Sequence, residues 1–285
     1  MSTVIRTLVG LKIGTETSTL VPIQSQALAN NNEFMQLKAT SSIGHDLVAH
    51  TKRMPELTFE TNALAKLTTA LGGGIYKVDD IEYYLGKFAA TPSEEGYYFD
   101  TTGVSVKKMT GAVIYIDTIS GDIGEPITCT FKTRGNSVAT STDTLESFTI
   151  SHGDVHTIST LTFGAKTVGI RNFSLETGIE FYDYFENGVD PEVSAITNAD
   201  LRATCRILID SVTDIEAIET VTDFVLNLNK YQAGGLPQIA GGTITFNDCV
   251  VKVESDESRI GDVAIAEISL RPTSVEFDIV EEPEP

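Results

Sequence analysis

The chain has no tryptophan, three cysteines among 285 residues, and only 20 lysines and arginines against 40 aspartates and glutamates. Each shortage excludes something. Sugar rings are commonly stacked on tryptophan, so its absence weighs against a carbohydrate-binding or carbohydrate-cleaving β-sandwich. Cys129, Cys205 and Cys249 are odd in number, far apart and set in apolar alternating runs, which predicts buried free thiols instead of a disulfide framework or a zinc site. A formal charge of −20 is opposite to that of a nucleic-acid binder, because neutralisation of phosphates by Lys and Arg supplies most of such affinity. No run of eighteen apolar residues occurs, so no membrane-spanning helix is expected. Arg6 and Lys12 interrupt the opening stretch Met1 to Gly14, which therefore does not read as a secretory signal, and a cytosolic site of synthesis is expected.

Catalytic motifs are missing as well. There is no Gly-x-Ser-x-Gly elbow, phosphate-binding loop or dinucleotide fingerprint. The triple glycine 72–74 follows a helical pattern instead of preceding one, which fits a helix stop and not a phosphate cradle. The adjacent acids Asp79-Asp80 and Glu94-Glu95 read as surface charge, although glycoside hydrolysis does need two carboxyls. His45 and His50 lie five apart and His152 and His156 four apart; the glycine between the latter pair favours a linker over a helical metal site. The reading is of a protein that is no enzyme and carries no cofactor or metal.

What is abundant is strand-type alternation. Leu57, Phe59 and Thr61 share one parity, as do Ile127, Cys129 and Phe131, and Val113 and Tyr115 oppose Ile114 and Ile116. Further runs cover 158–163, 173–181, 205–209, 243–246, 250–253 and 263–270, with Gly and Asn/Asp turn signals between them. Two segments read as helix. Asn62 to Leu71 follows a Thr61/Asn62 cap and stops at Gly72, and Asp214 to Phe224 follows Thr213-x-x-Glu216, which has the form of a capping box. The fold class is mainly β, expected as two tandem β-sandwich or barrel domains, each with one short flanking α-helix.

The order of segments suggests duplication. Strand 55–61, helix 62–71 and the strand pair 111–117 and 126–134 are followed in the second half by strand 204–210, helix 213–224 and strands 242–253 and 263–271. Both pairs close with an arginine, Arg134 and Arg271. The expected domains are 1–152 and 153–280, with the acidic, proline-punctuated 281–285 as a disordered tail. Residues 1–150 carry 12 basic and 16 acidic side chains, whereas 151–285 carry 8 and 24, so the second half supplies most of the negative field. Segment 74–110 is expected as a long Tyr-rich loop, whose Tyr76, Tyr83, Tyr84, Tyr97, Tyr98 and Phe99 are candidates for contact with a neighbouring subunit.

The opening Leu8 to Thr17, the passage 55–74, the strand Gly111 to Tyr115 and the closing stretch 241–272 together resemble the major tail tube proteins of long-tailed bacteriophages. That resemblance implies a virion structural protein, made in the host bacterial cytoplasm, that stacks as rings into a hollow tail tube for DNA ejection. It implies two fused tube domains per chain and a trimeric, pseudo-hexameric ring, with a hexamer of one elaborated domain as the alternative. Implied partners are further copies of the chain, a tape measure protein and a tail terminator, with phage DNA passing through unbound and no membrane. Candidate lumen-facing acids are Asp117, Asp122, Glu176, Glu180, Asp183 and Glu186. Other structural roles, such as a capsid decoration or tail accessory protein, fit the same composition.

Overall fold

The computed structural model describes residues 6–14, 20–23, 25–37, 47–88, 99–135, 138–140, 154–185, 193–209, 216–231, 239–257 and 264–279. The chain is mainly β, as the alternation predicts. The first half contains β1 (Arg6–Ile13), β2 (Leu20–Pro22), β3 (Ser25–Leu37), β4 (Leu47–Thr61), α1 (Leu64–Ala70), β5 (Tyr76–Phe88), β6 (Phe99–Asp122), β7 (Thr128–Arg134) and β8 (Val138–Thr140). The second half contains β9 (His156–Phe163), β10 (Lys166–Glu176), β11 (Ile179–Tyr184), β12 (Val193–Ala199), β13 (Arg202–Ile209) and β14 (Phe224–Lys230). It closes with β15 (Ile239–Asn247), β16 (Val250–Glu257), β17 (Ala264–Arg271) and β18 (Ser274–Ile279).

Period-2 burial drives these strands together. In β7 the parity of Cys129, Phe131 and Thr133 is buried while Thr128, Thr130, Lys132 and Arg134 are not, and β13 repeats the pattern with Ala203, Cys205, Ile207 and Ile209 inside. The buried faces meet across two layers. Phe173 on β10 reaches Phe246 on β15 at 5.8 Å, while within one sheet Phe59 stacks on its ladder partner Phe131 at 5.1 Å. Helix α1 covers one end, burying Leu64, Leu67 and Ala70. Thr61 Oγ1 accepts the Ala63 amide at 3.1 Å, and the helix stops where Gly72 takes φ +73°, a conformation costly for any residue with a Cβ.

The two halves pair their strands in the same way. In the first, β1 pairs with β2 and β5, β5 with β6, β6 with β8 and β7, β7 with β4, and β4 with β3. In the second, β9 pairs with β10 and β14, β14 with β15, β15 with β18, β16 with β17, β17 with β13, and β13 with β10. The registers coincide residue by residue. Val113 faces Arg134 as Val250 faces Arg271, and the bulge that skips Asp117 recurs where Glu254 is skipped. A shift of 137 residues carries one ladder onto the other. The same shift carries Met109 opposite Val138 onto Phe246 opposite Val275.

The turn between these ladders repeats too. Gly111, at φ +58°, corresponds to Asp248, which at φ +49° is the positive-φ non-glycine residue among the described residues. An aspartate braces each turn: Asp80 Oδ1 accepts the Gly111 amide at 2.9 Å, and Asp223 Oδ1 accepts the Asp248 amide at 3.1 Å. Short polar side chains tolerate the left-handed region best, which explains why aspartate can stand where its counterpart is glycine.

Several expectations are corrected. The stretch 74–110 is mostly strand, because β5 and the start of β6 occupy 76–88 and 99–110; its charges alternate with apolar residues and do not mark a loop. Of the expected helix 214–224 only 216–218 is helical among the described residues, and Phe224 opens β14, whose Phe224, Leu226 and Leu228 bury in alternation. The run 173–181 breaks at Thr177-Gly178 into β10 and β11, and 242–253 breaks at Asp248. Strand 57–61 matches 203–207, a three-residue shift from the sequence alignment, while Arg134 and Arg271 do correspond. The tail 281–285 lies outside the described residues.

Candidate assembly edges

One ladder has no counterpart among the described residues. β10 of the second half pairs antiparallel with β6 of the first, Asn172 opposite Asp122, Ser174 opposite Ser120 and Glu176 opposite Thr118. It joins the sheet β3-β4-β7-β6 to the sheet β10-β13-β17-β16, edge to edge. Phe173, Leu175 and Ile119 bury on its inner side, which fixes the register, since a one-residue slip would turn all of them to solvent. Backbone bonds extend it at both ends: Ile123 N donates to Arg171 O at 2.9 Å, and Thr177 N to Asp117 O at 3.1 Å. The Thr177 hydroxyl also donates to Ile116 O at 2.5 Å.

Beyond this seam the β11-β12 hairpin crosses onto the first half. Phe181 packs on Tyr115 with centroids 5.1 Å apart, and the Arg134 guanidinium lies 5.0 Å over the Phe181 ring. Arg134 Nη2 also donates to Asp183 Oδ2, the two side chains being 17% and 11% exposed. Arg134 is thus held between an aromatic face and a carboxylate, both supplied by the other half.

At the far ends of the combined sheet, β3 pairs only with β4 and β16 only with β17 among the described residues. By the internal correspondence β3 is the equivalent of β10, and β16 the equivalent of the seam-forming part of β6. The chain therefore presents at its two ends the same two edges that it joins in its middle. Such edges are templates for further strand addition.

The outer face of the sheet is polar and of mixed sign. Glu56, Glu60, Asp122, Glu176 and Glu267 share it with Lys132, Arg202, Arg206 and Arg271. Asp117, in the β6 bulge, pairs with Lys132 at 3.0 Å, and Arg206 lies 3.8 Å from Glu267. A shallow groove of about 380 Å³ runs across the seam, lined by Ser120, Asp122, Asn172, Ser174, Arg206 and Glu267 among others.

Of the candidate acids, then, Asp122 and Glu176 stand exposed at the two ends of the seam ladder, Asp117 is ion-paired beside it, Glu180 is exposed on β11, and Asp183 is engaged by Arg134. Glu186 lies outside the described residues. Tyr76, Tyr83 and Tyr84 belong to β5 and Phe99 opens β6; Tyr76 is 48% exposed, and Tyr97 and Tyr98 lie outside the described residues. Two residues escaped the sequence reading. Glu254 stands at the register of Asp117, and its carboxyl is held below the ordinary range by a hydrogen bond from Lys252. In sequence Arg134 reads only as a strand end; the 137-residue shift is the signal that points to both. No family model matches the chain, and no curated protein sequence matches it.

Proposed function

We propose that the chain is a structural protein that polymerises through its sheet edges, β16 of one copy adding to β3 of the next, into closed rings that stack as the tail tube of a long-tailed phage. The observation that carries this reading is the seam: an antiparallel join between equivalent edges inside one chain, with the same two edges left over at its ends. Translating the seam register by the internal correspondence sets Ala27 opposite Glu257, Leu28 opposite Asp256 and Ala29 opposite Ser255. Because the two edges differ, the contact is head to tail and generates a ring when the rotation closes.

In this reading three chains supply six equivalent units, and the polar face of the combined sheet lines the bore. A formal charge of −20 disfavours adhesion of phosphates, so DNA slides through without a binding site. A tape measure protein and a terminator would meet the tube's lumen and end. Electron microscopy of the purified chain, with native mass measurement of its smallest closed species, tests the proposal. Hollow rings of three chains are expected; a chain that remains monomeric at every concentration overturns it.

A further inference from the structure

The two halves differ in one respect that their shared registers make measurable. Val113 is 1% exposed, whereas Val250, at the same register position, is 71% exposed. Tyr115 is 4% exposed, whereas its counterpart Lys252 has a side chain 71% exposed. Arg134 is mostly buried and Arg271 is exposed. Over Tyr115 and Arg134 sits the β11-β12 hairpin. Around Val250, Lys252 and Arg271 there is instead an open groove of about 530 Å³, also lined by Glu176, Arg202 and Glu254.

The counterpart of the β11-β12 hairpin is the outer part of the β3-β4 hairpin. Ile179 faces Ala199 as Asn32 faces Arg53, and the ladders slip at the same place, between Glu180 and Phe181 and between Glu33 and Phe34. Phe34 therefore holds the register position of Phe181, and Gln36 that of Asp183. Among the described residues lining the groove none belongs to such a hairpin, and a second copy carries one.

We infer that the groove around Arg271 receives the outer β3-β4 hairpin of a second copy of this chain, Arg271 serving positions 34 and 36 as Arg134 serves Phe181 and Asp183. The inference rests on the edge pairing proposed above and adds a side-chain clasp to it. The occupant is a second copy and not another partner, because the hairpin that fills the equivalent site is already built into this chain. A guanidinium between an aromatic ring and a polar acceptor sets both position and rotation of the arriving hairpin, which strand pairing alone leaves free to slip.

The test uses the full chain and follows oligomer against concentration by mass photometry, with circular dichroism to confirm that each variant is folded. Arg271→Ala is expected to raise the concentration for half assembly roughly tenfold or more. Gln36→Asp, which restores the carboxylate present at Asp183, is expected to lower it, and only when Arg271 is present. A Cys pair at Ala27 and Glu257 reports the strand join independently of the clasp. Cross-linked oligomers whose assembly is indifferent to Arg271→Ala, with Gln36→Asp acting equally in both backgrounds, overturn the clasp and leave the edge join standing. Absence of oligomers and of cross-links removes both.

Discussion

The internal clasp gives the sharpest energetic prediction, because its parts can be removed one at a time without touching the core. Arg134→Ala deletes a charge-assisted hydrogen bond to Asp183, worth about 1.5–3 kcal/mol, and a stacked contact with Phe181 worth about 0.5–2 kcal/mol. Those contributions overlap and the pair is not fully dry, so a loss of about 3 kcal/mol is expected. Asp183→Asn keeps an acceptor and leaves the stacking, and should cost about 1–2 kcal/mol. Replacing both partners by apolar residues, Arg134→Met with Asp183→Leu, should fall within about 1 kcal/mol of the parent, since no charge is then left behind. Urea unfolding of the dilute chain measures all of these. The coupling between positions 134 and 183 should reach about 1–2 kcal/mol and change little with salt, as befits a pair shielded from bulk ions. Hydrogen exchange should show faster opening of the β11-β12 hairpin in Arg134→Ala, because this hairpin is a separate two-stranded sheet held to the first half by the clasp. A coupling below about 0.5 kcal/mol with an undisturbed hairpin would refute the reasoning.

Other outcomes follow from single features. Asp248→Gly should stabilise by about 0.5 kcal/mol by relieving a left-handed backbone, while Gly111→Ala should cost about 1 kcal/mol; denaturation midpoints decide both. Asp80→Ala and Asp223→Ala should each lose about 1 kcal/mol, because each unbraces the equivalent turn. Burial lowers the pKa of His156 below its ordinary 6.5, with Asp154 opposing. The unfolded chain therefore takes up the proton first as acid is added. The His156 contribution to stability is full above about pH 6.5 and is lost as pH falls toward the folded value, a slope that His156→Gln should flatten in thermal melts across pH 4 to 7. Burial pushes the Cys205 and Cys249 thiols up to about 12, and Cys129 also upward, so a thiol reagent should label none of the three until the chain unfolds.

Much of the strand content was legible because alternation reports burial directly, as at Leu57-Phe59-Thr61 and Cys129-Phe131. The α1 helix was legible from its apolar stripe and the glycines that end it. Segment 74–110 resembles a loop in sequence because Lys77, Asp79, Asp80 and Glu82 crowd its start, yet their neighbours keep the strand period of β5. The second helix was over-extended because a helical stripe and a strand share Phe224. The repeated pairing pattern is visible in the sequence in outline, three residues out of register in one strand. Few side chains repeat, among them Val113 with Val250 and Arg134 with Arg271; what repeats is bulge position and turn geometry, which are backbone properties that many residues can adopt. The edges were the least legible part. Whether a strand is flanked on one side or two depends on partners far away in sequence, and nothing local in Ser25 to Leu37 or Val250 to Glu257 announces it. Arg134 resembles any solvated strand end in sequence, because the Asp183 and Phe181 that enclose it lie some fifty residues later.

The central claim is that one intramolecular seam is repeated between chains. Amide hydrogen exchange on dilute and assembled protein tests it most directly. The seam strands β6 and β10 should be protected in both states, while amides of β16 near Ser255 to Glu257 and of β3 near Ala27 to Ala29 gain protection only on assembly. Assembled protein in which those two edges exchange as fast as before, with new protection elsewhere, would contradict the account.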